Sequence, residues 1–222
     1  MKTVLPFAVL VSAIVAIGAA PPTADESMFR EGQLRLRDLE RRISADSENV
    51  PLRRDELRTL YFLSVSDGKW LPRAEEALAW LASRRWMAPD LVDAYRGAFE
   101  VVRAKHGIWP PAKLEALERA RPLLDGAVER SPGQVEIRYL RLMSCYYLPF
   151  FFGRSWSVRE DLAALARILP QSEDTLPAGL YARVASFVLA NGEEMPPAQR
   201  LRLESTLEHS RRRLASTEGG NP

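Results

Sequence analysis

Cysteine and histidine are nearly missing from this chain. Of 222 residues one is cysteine, Cys145, and two are histidine, His106 and His209. A lone cysteine excludes an intramolecular disulfide and a cysteine-built metal cluster. Neither histidine lies near Cys145 in sequence, and Tyr146, Tyr147 and Leu148 follow it directly, so Cys145 is expected to be a small buried hydrophobe rather than a nucleophile. Charge of one sign is also missing. The formal net charge is +2, which gives no strong field and argues against a nucleic-acid partner. Lysine is scarce: only Lys2, Lys69, Lys105 and Lys113 among 31 basic residues. No Gly-rich phosphate loop, His-x-x-x-His or Gly-x-Ser-x-Gly occurs, so no catalytic, metal-binding or cofactor-binding set is assigned and no cofactor is expected. Alternating β-branched runs are absent as well, which leaves no strand signal.

One long apolar run is present. Residues 3–20, "TVLPFAVLVSAIVAIGAA", carry no charge, and Lys2 precedes them. A positive start, an apolar stretch and small residues before a cut read as a secretory signal. The run is about the minimum length for a spanning helix, so an uncleaved inner-membrane anchor is the alternative. In either case the rest of the chain is expected outside the cytoplasm, in the periplasm or secreted. No cysteine stands directly after the run, which excludes a lipoprotein anchor. Residues 21–27, "PPTADES", read as a linker, 28–214 as the folded domain and 215–222 as a disordered tail.

The body carries helical periodicity punctuated by Pro and Gly. Nine helices are expected, over 26–43, 53–65, 73–85, a stretch from Pro89, 112–130 with a kink at Pro122, 135–148, 157–169, 179–190 and 198–214. Leu34, Leu36, Leu39 and Ile43 form the inward stripe of the first. Leu91, Tyr95, Ala98, Phe99 and Val102 form that of the fourth. Hairpin starts near Arg53, Pro89, Val135 and Ala178 are spaced by roughly 36, 46 and 43 residues, close to the period of two-helix repeats. The fold class is therefore all-α, with helical hairpins stacked as a short array.

The segment "EALERARPLLDGAVERSPGQVEIRYLRL" resembles the join between tetratricopeptide repeats. Two blocks, residues 94–120 and 131–162, are similar to an uncharacterised bacterial family of exported tetratricopeptide-like helical proteins. Tyr95, Gly97-Ala98, Lys105, Lys113, Glu136, Arg138, Arg141, Pro149 and Asp161 carry that resemblance, which covers roughly residues 90–165. It implies a helical fold and transfers no activity, substrate or cofactor.

The densest chemistry lies in "VEIRYLRLMSCYYLPFFFGRSW". On a helical wheel Val135, Tyr139, Leu140, Leu142, Met143 and Tyr146 share a broad arc that also holds Glu136. Arg138, Arg141 and Cys145 cluster on the other side, and the two arginines, three apart, are expected at the surface. Glu136 in an apolar arc implies a buried pair or a helix cap. Glu136, Arg138, Arg141 and Asp161 form a candidate structural or ligand-binding cluster. Tyr147, Phe150, Phe151, Phe152 and Trp156 form a candidate partner groove. Trp70, Trp80, Trp86 and Trp109, at helix ends or turns, read first as packing plugs and second as interface anchors.

Two functions follow as expectations. One is an exported helical-repeat scaffold or adaptor that binds a protein or peptide partner in the cell envelope. It touches the membrane only through the N-terminal segment, if that segment is uncleaved. The other is a small-molecule binder or enzyme using the cluster around Glu136, Arg138, Arg141 and Asp161.

Overall fold

The computed structural model describes residues 22–146, 155–192 and 195–218. Among the described residues the chain forms nine α-helices and two short 3-10 turns, and no strand occurs. It divides into two compact units, the boundary in the chain falling between Leu124 and Asp125. The apolar run 3–20 lies outside the described residues. Among the described ones no helix is long and apolar enough to cross a membrane.

The first unit holds α1 (Pro22–Ala45), α2 (Val50–Ser66), α3 (Leu71–Ser83), α4 (Pro89–His106) and α5 (Pro110–Arg130) as far as Leu124. Helix α1 begins at Pro22, so most of the expected linker is helical. A proline is tolerated there because its missing N–H would have no intrahelical partner and its φ already suits a helix. Local caps set the other boundaries. The Asn49 side chain accepts the Leu52 N–H at 3.1 Å to open α2. Asp67 closes α2 through its own N–H on the Leu63 carbonyl. Its side chain accepts from Lys69 N to start the 3-10 turn Gly68–Trp70. Proline stands in the first turn of α2, α3 and α4.

Helix α1 packs against α2 through Leu36, Leu39 and Ile43, all buried. Leu34, expected on the same stripe, is exposed. It stands two residues from Leu36, about 200° round the helix. Tyr61 of α2 meets Tyr95 of α4 edge-on, with ring centroids 6.0 Å apart, and Phe99 lies 6.1 Å from Tyr95. The expected stripe of α4 is buried throughout. Gly97 lets α5 approach closely: a Cβ there would sit 2.7 Å from Leu124 Cγ and 3.1 Å from the Ala120 carbonyl. Pro122 is accommodated inside one continuous α5.

The second unit holds the end of α5, then α6 (Val135–Tyr146), α7 (Ser155–Ile168), α8 (Ala178–Asn191) and α9 (Pro197–Glu218). Helix α6 pairs with α7, and α8 with α9. Tyr181 of α8 is fully buried and donates its hydroxyl to Thr206 Oγ1 at 2.6 Å. Arg200 of α9 reaches the carbonyls of Leu189 and Gly192 at 3.0 and 3.1 Å. Leu189 lies in the last turn of α8 and Gly192 just past its end, where carbonyls have no intrahelical donor. Phe187 is met edge-on by Tyr139 and Tyr146, at 6.2 and 5.0 Å, and so ties α8 to α6. Helix α9 runs on to Glu218, so the first half of the expected disordered tail is helical. No Gly or Pro interrupts the chain before Gly219.

Candidate functional site

Helix α6 is short but lies in the middle of its unit. Every residue from Val135 to Leu142 is buried. A helix buried on all sides has no solvent face, so its polar residues must find partners within the protein.

Arg138 and Arg141 do so, and the expectation that they lie at the surface is overturned: they are 6 % and 5 % exposed. Their partner is Asp161 of α7, which is fully buried. Arg141 grips it as a fork, Nε to Oδ2 at 2.8 Å and Nη2 to Oδ1 at 2.8 Å. Arg138 Nη1 donates to the same Oδ1 at 2.8 Å. Paired N–H donors matched to a carboxylate are the strongest geometry available to this ion pair. Glu160 joins from the rim, accepting from Arg141 Nη2 at 2.7 Å and from Arg138 Nη1 at 3.4 Å. Asp125, near the end of α5, accepts from Arg141 Nη1 at 3.3 Å. Arg138 Nε is used on the Pro132 carbonyl of the preceding turn.

The structure thus brings three of the four expected residues, Arg138, Arg141 and Asp161, into one network and adds Glu160 and Asp125. Arginines three apart lie on neighbouring turns of one face, which is the spacing that lets both reach one carboxylate on α7. Glu160 carries a sequence signal, being the acid next to Asp161. Asp125 carries none, because only the packing of α5 brings it near. Glu136 is buried, as its place in the apolar arc implied, at 4 % exposure. Its backbone N–H donates to Gln134 Oε1 at 2.9 Å, a side-chain bond in the first turn of α6.

Removal from water pushes the Asp161 carboxyl up from its ordinary value, and the hydrogen bonds and charge of Arg141, then of Arg138, pull against that push. Burial acts to lower Arg141, but Asp161 and Glu160 outweigh it and hold the guanidinium above its ordinary value. All three nitrogens of the Arg141 guanidinium already donate within the unit. The arrangement clamps α6 to α7 and to the end of α5, and it leaves Arg141 no nitrogen uncommitted for a ligand.

Two open clefts among the described residues lie elsewhere. One, of about 540 Å³, opens at the α3–α4 turn beside Arg54, Arg85, Trp86 and Arg96. There Arg54 donates to the Trp86 carbonyl, and Arg96 pairs with Asp93 at 3.4 Å. Nearby, the guanidiniums of Arg53 and Arg84 lie over the Trp80 ring, at 4.4 and 4.2 Å from its centre. The other cleft, of about 480 Å³, runs along α8 and α9 beside Leu189, Leu207 and Arg211. Cys145 is buried, as expected. No group of three or more His, Cys, Asp or Glu among the described residues is placed to hold a metal ion. Of the expected partner groove, Tyr147, Phe150, Phe151 and Phe152 lie outside the described residues, as does the side chain of Trp156.

No protein-family model matches the chain, and no curated protein or solved structure is found similar to it.

Proposed function

We propose that this chain is an exported helical-repeat scaffold that binds a protein or peptide partner in the cell envelope. The carrying observation is the use made of the polar cluster. The residues best suited to chemistry, Arg138, Arg141 and Asp161, spend their donors and acceptors on one another and on Glu160 and Asp125. A ligand at Asp161 would have to displace three charge-assisted bonds. That favours a structural role for the cluster over the small-molecule or enzyme reading. The helical pairs α2/α3, α6/α7 and α8/α9 support a tetratricopeptide-like arrangement, since each has about the length of one two-helix repeat. Export rests on the uncharged run 3–20, either as a cleaved signal or as a retained anchor.

Two measurements test this reading. A reporter enzyme joined after Pro222 should be active only outside the cytoplasm, and cytoplasmic activity would refute export. Photo-crosslinkers placed in vivo at exposed Leu34 and Leu201 should trap adducts of discrete size; no adduct at any exposed helix position would refute the scaffold. If Asp161→Asn folds normally but abolishes binding of a small molecule, the cluster is a ligand site instead.

A further inference from the structure

The first unit has an apolar tip. Gly107 ends α4 with its N–H on the Arg103 carbonyl at 2.8 Å, and Pro110 opens α5. Between them stand Ile108 and Trp109, 96 % and 68 % exposed, the two most exposed large apolar side chains among the described residues. Leu114, in the next turn, is exposed as well. Single exposed apolar residues are ordinary, but two adjacent ones at a tip with a third beside them form a patch. Trp109 is therefore no packing plug. Pro110 and Pro111 bring no N–H, and Lys113 N donates to the Trp109 carbonyl at 3.2 Å.

Lysines stand near the tip, with Asp67 among them, and the start of α1 carries Asp25 and Glu26 in sequence. Lys105 Nζ donates to the Val65 carbonyl at 2.8 Å, and His106 Nε2 lies 3.0 Å from the Ser64 carbonyl, so the end of α4 is fastened to the end of α2. Gly68, one residue before Lys69, packs against the His106 ring, and the Lys113 stem lies beside Gly107. Three of the chain's four lysines thus gather at this end, although arginine is far commoner overall. Asp67 offsets Lys69 at 2.5 Å, and among the described residues Lys113 has no acid partner. Glu115 falls about 200° round the helix from Lys113.

Helix α1 starts at the same end. It runs back along α2 with Gly32 level with Leu63, so Phe29 comes level with Ser66. The residues from Pro22 to Met28 therefore extend past the end of α2 by about 10 Å. In sequence, the uncharged apolar run 3–20 leads directly into that start.

We propose that this end of the first unit rests on a lipid bilayer carrying anionic headgroups. Ile108 and Trp109 sit in the boundary between headgroups and acyl chains, and Lys113 lies over the headgroup phosphates. Tryptophan favours that boundary because its ring is apolar with one polar edge, and lysine reaches anionic headgroups on a flexible stem. The inference rests on the anchored form of the function above: a retained apolar run would hold the tip at high effective concentration over the surface.

The test uses the full chain with vesicles of phosphatidylcholine containing a minority of phosphatidylglycerol, brominated just below the headgroups. Co-sedimentation reports the anchor. The difference in tryptophan quenching between the parent and Trp109→Phe reports the tip alone, because the other tryptophans are common to both. Trp109→Phe should remove most of the quenchable emission, as an interfacial tryptophan requires. Lys113→Glu should lower Trp109 quenching roughly tenfold on anionic vesicles, and little on phosphatidylcholine alone. Trp109 is exposed and Lys113 half-buried, and both substitutions should leave the helical circular dichroism unchanged. If the chain co-sediments but parent and Trp109→Phe are quenched alike, the anchor stands and the docking tip is overturned. A chain that neither sediments nor shows Trp109 quenching overturns it too, together with the anchor. A lipid-free blue shift of Trp109 emission that grows with protein concentration would overturn it in favour of a second copy as the cover.

Discussion

Removing the Asp161 carboxylate should destabilise the second unit severely. Asp161 is fully buried and accepts three bonds of 2.8 Å from two guanidiniums that are themselves buried. In Asp161→Ala those three charge-assisted bonds disappear, and two cations remain out of water. Hydrogen bonds to charged groups are worth about 1.5–3 kcal/mol each, but the losses do not add. Glu160 still accepts from both arginines and Asp125 from Arg141. Breaking a buried pair from one side costs about 3–5 kcal/mol, and the cost here should fall in that range. Asp161→Asn should cost somewhat less: one oxygen can still accept, but the amide NH₂ confronts an arginine donor. Replacing all three charges with apolar residues, Arg138→Met, Arg141→Met and Asp161→Leu, should cost less than Asp161→Ala alone, because no buried ion is then left without a partner. Glu160→Ala, whose side chain is 34 % exposed, should cost under about 1 kcal/mol. The assay is urea unfolding followed by circular dichroism, with midpoints and slopes compared across the series. The reasoning fails if Asp161→Ala unfolds within about 0.5 kcal/mol of the parent, or if the triple apolar variant is the least stable of the set.

Other outcomes follow from single positions. Gly97→Ala should cost about 1–3 kcal/mol, because its new methyl meets Leu124 and the Ala120 carbonyl; thermal unfolding of the variant checks this. Glu136→Ala should cost about 2–4 kcal/mol, since its side chain is buried in α6, and Glu136→Gln, which keeps shape and hydrogen-bonding capacity, about half as much or less. Equal midpoints for the two in the urea series would contradict that ordering. Arg53→Ala combined with Arg84→Ala removes both guanidiniums from the Trp80 ring and should cost about 1–2 kcal/mol in total, read from the same unfolding curves together with a change in near-ultraviolet dichroism. Circular dichroism of the parent should be dominated by helix, and a major strand component would contradict the fold.

The helices and most of their boundaries were legible in the sequence, because the signals are local. An apolar residue every three or four positions marks a face, and a proline or an aspartate marks an end. The expected stripe of α4 is buried in full, and the starts near Pro89, Val135 and Ala178 agree with the structure. Burial of Glu136 was legible for the same reason, as an acid within an apolar arc. The arginines were not. A helical wheel assumes one dry face and one wet face, and that assumption holds for a helix lying on a core. Helix α6 instead lies inside its unit, with α7 against it, Phe187 of α8 on its aromatics and Asp125 of α5 on Arg141. Sequence periodicity describes one helix at a time and cannot show how many neighbours surround it. Which side of α6 is dry, and therefore whether Arg138 and Arg141 are solvated charges or a buried clamp, was decided by tertiary packing alone. The exposure of Trp109 was decided in the same way: the sequence places a tryptophan at a turn, and only the packing of α4 and α5 leaves it facing outward.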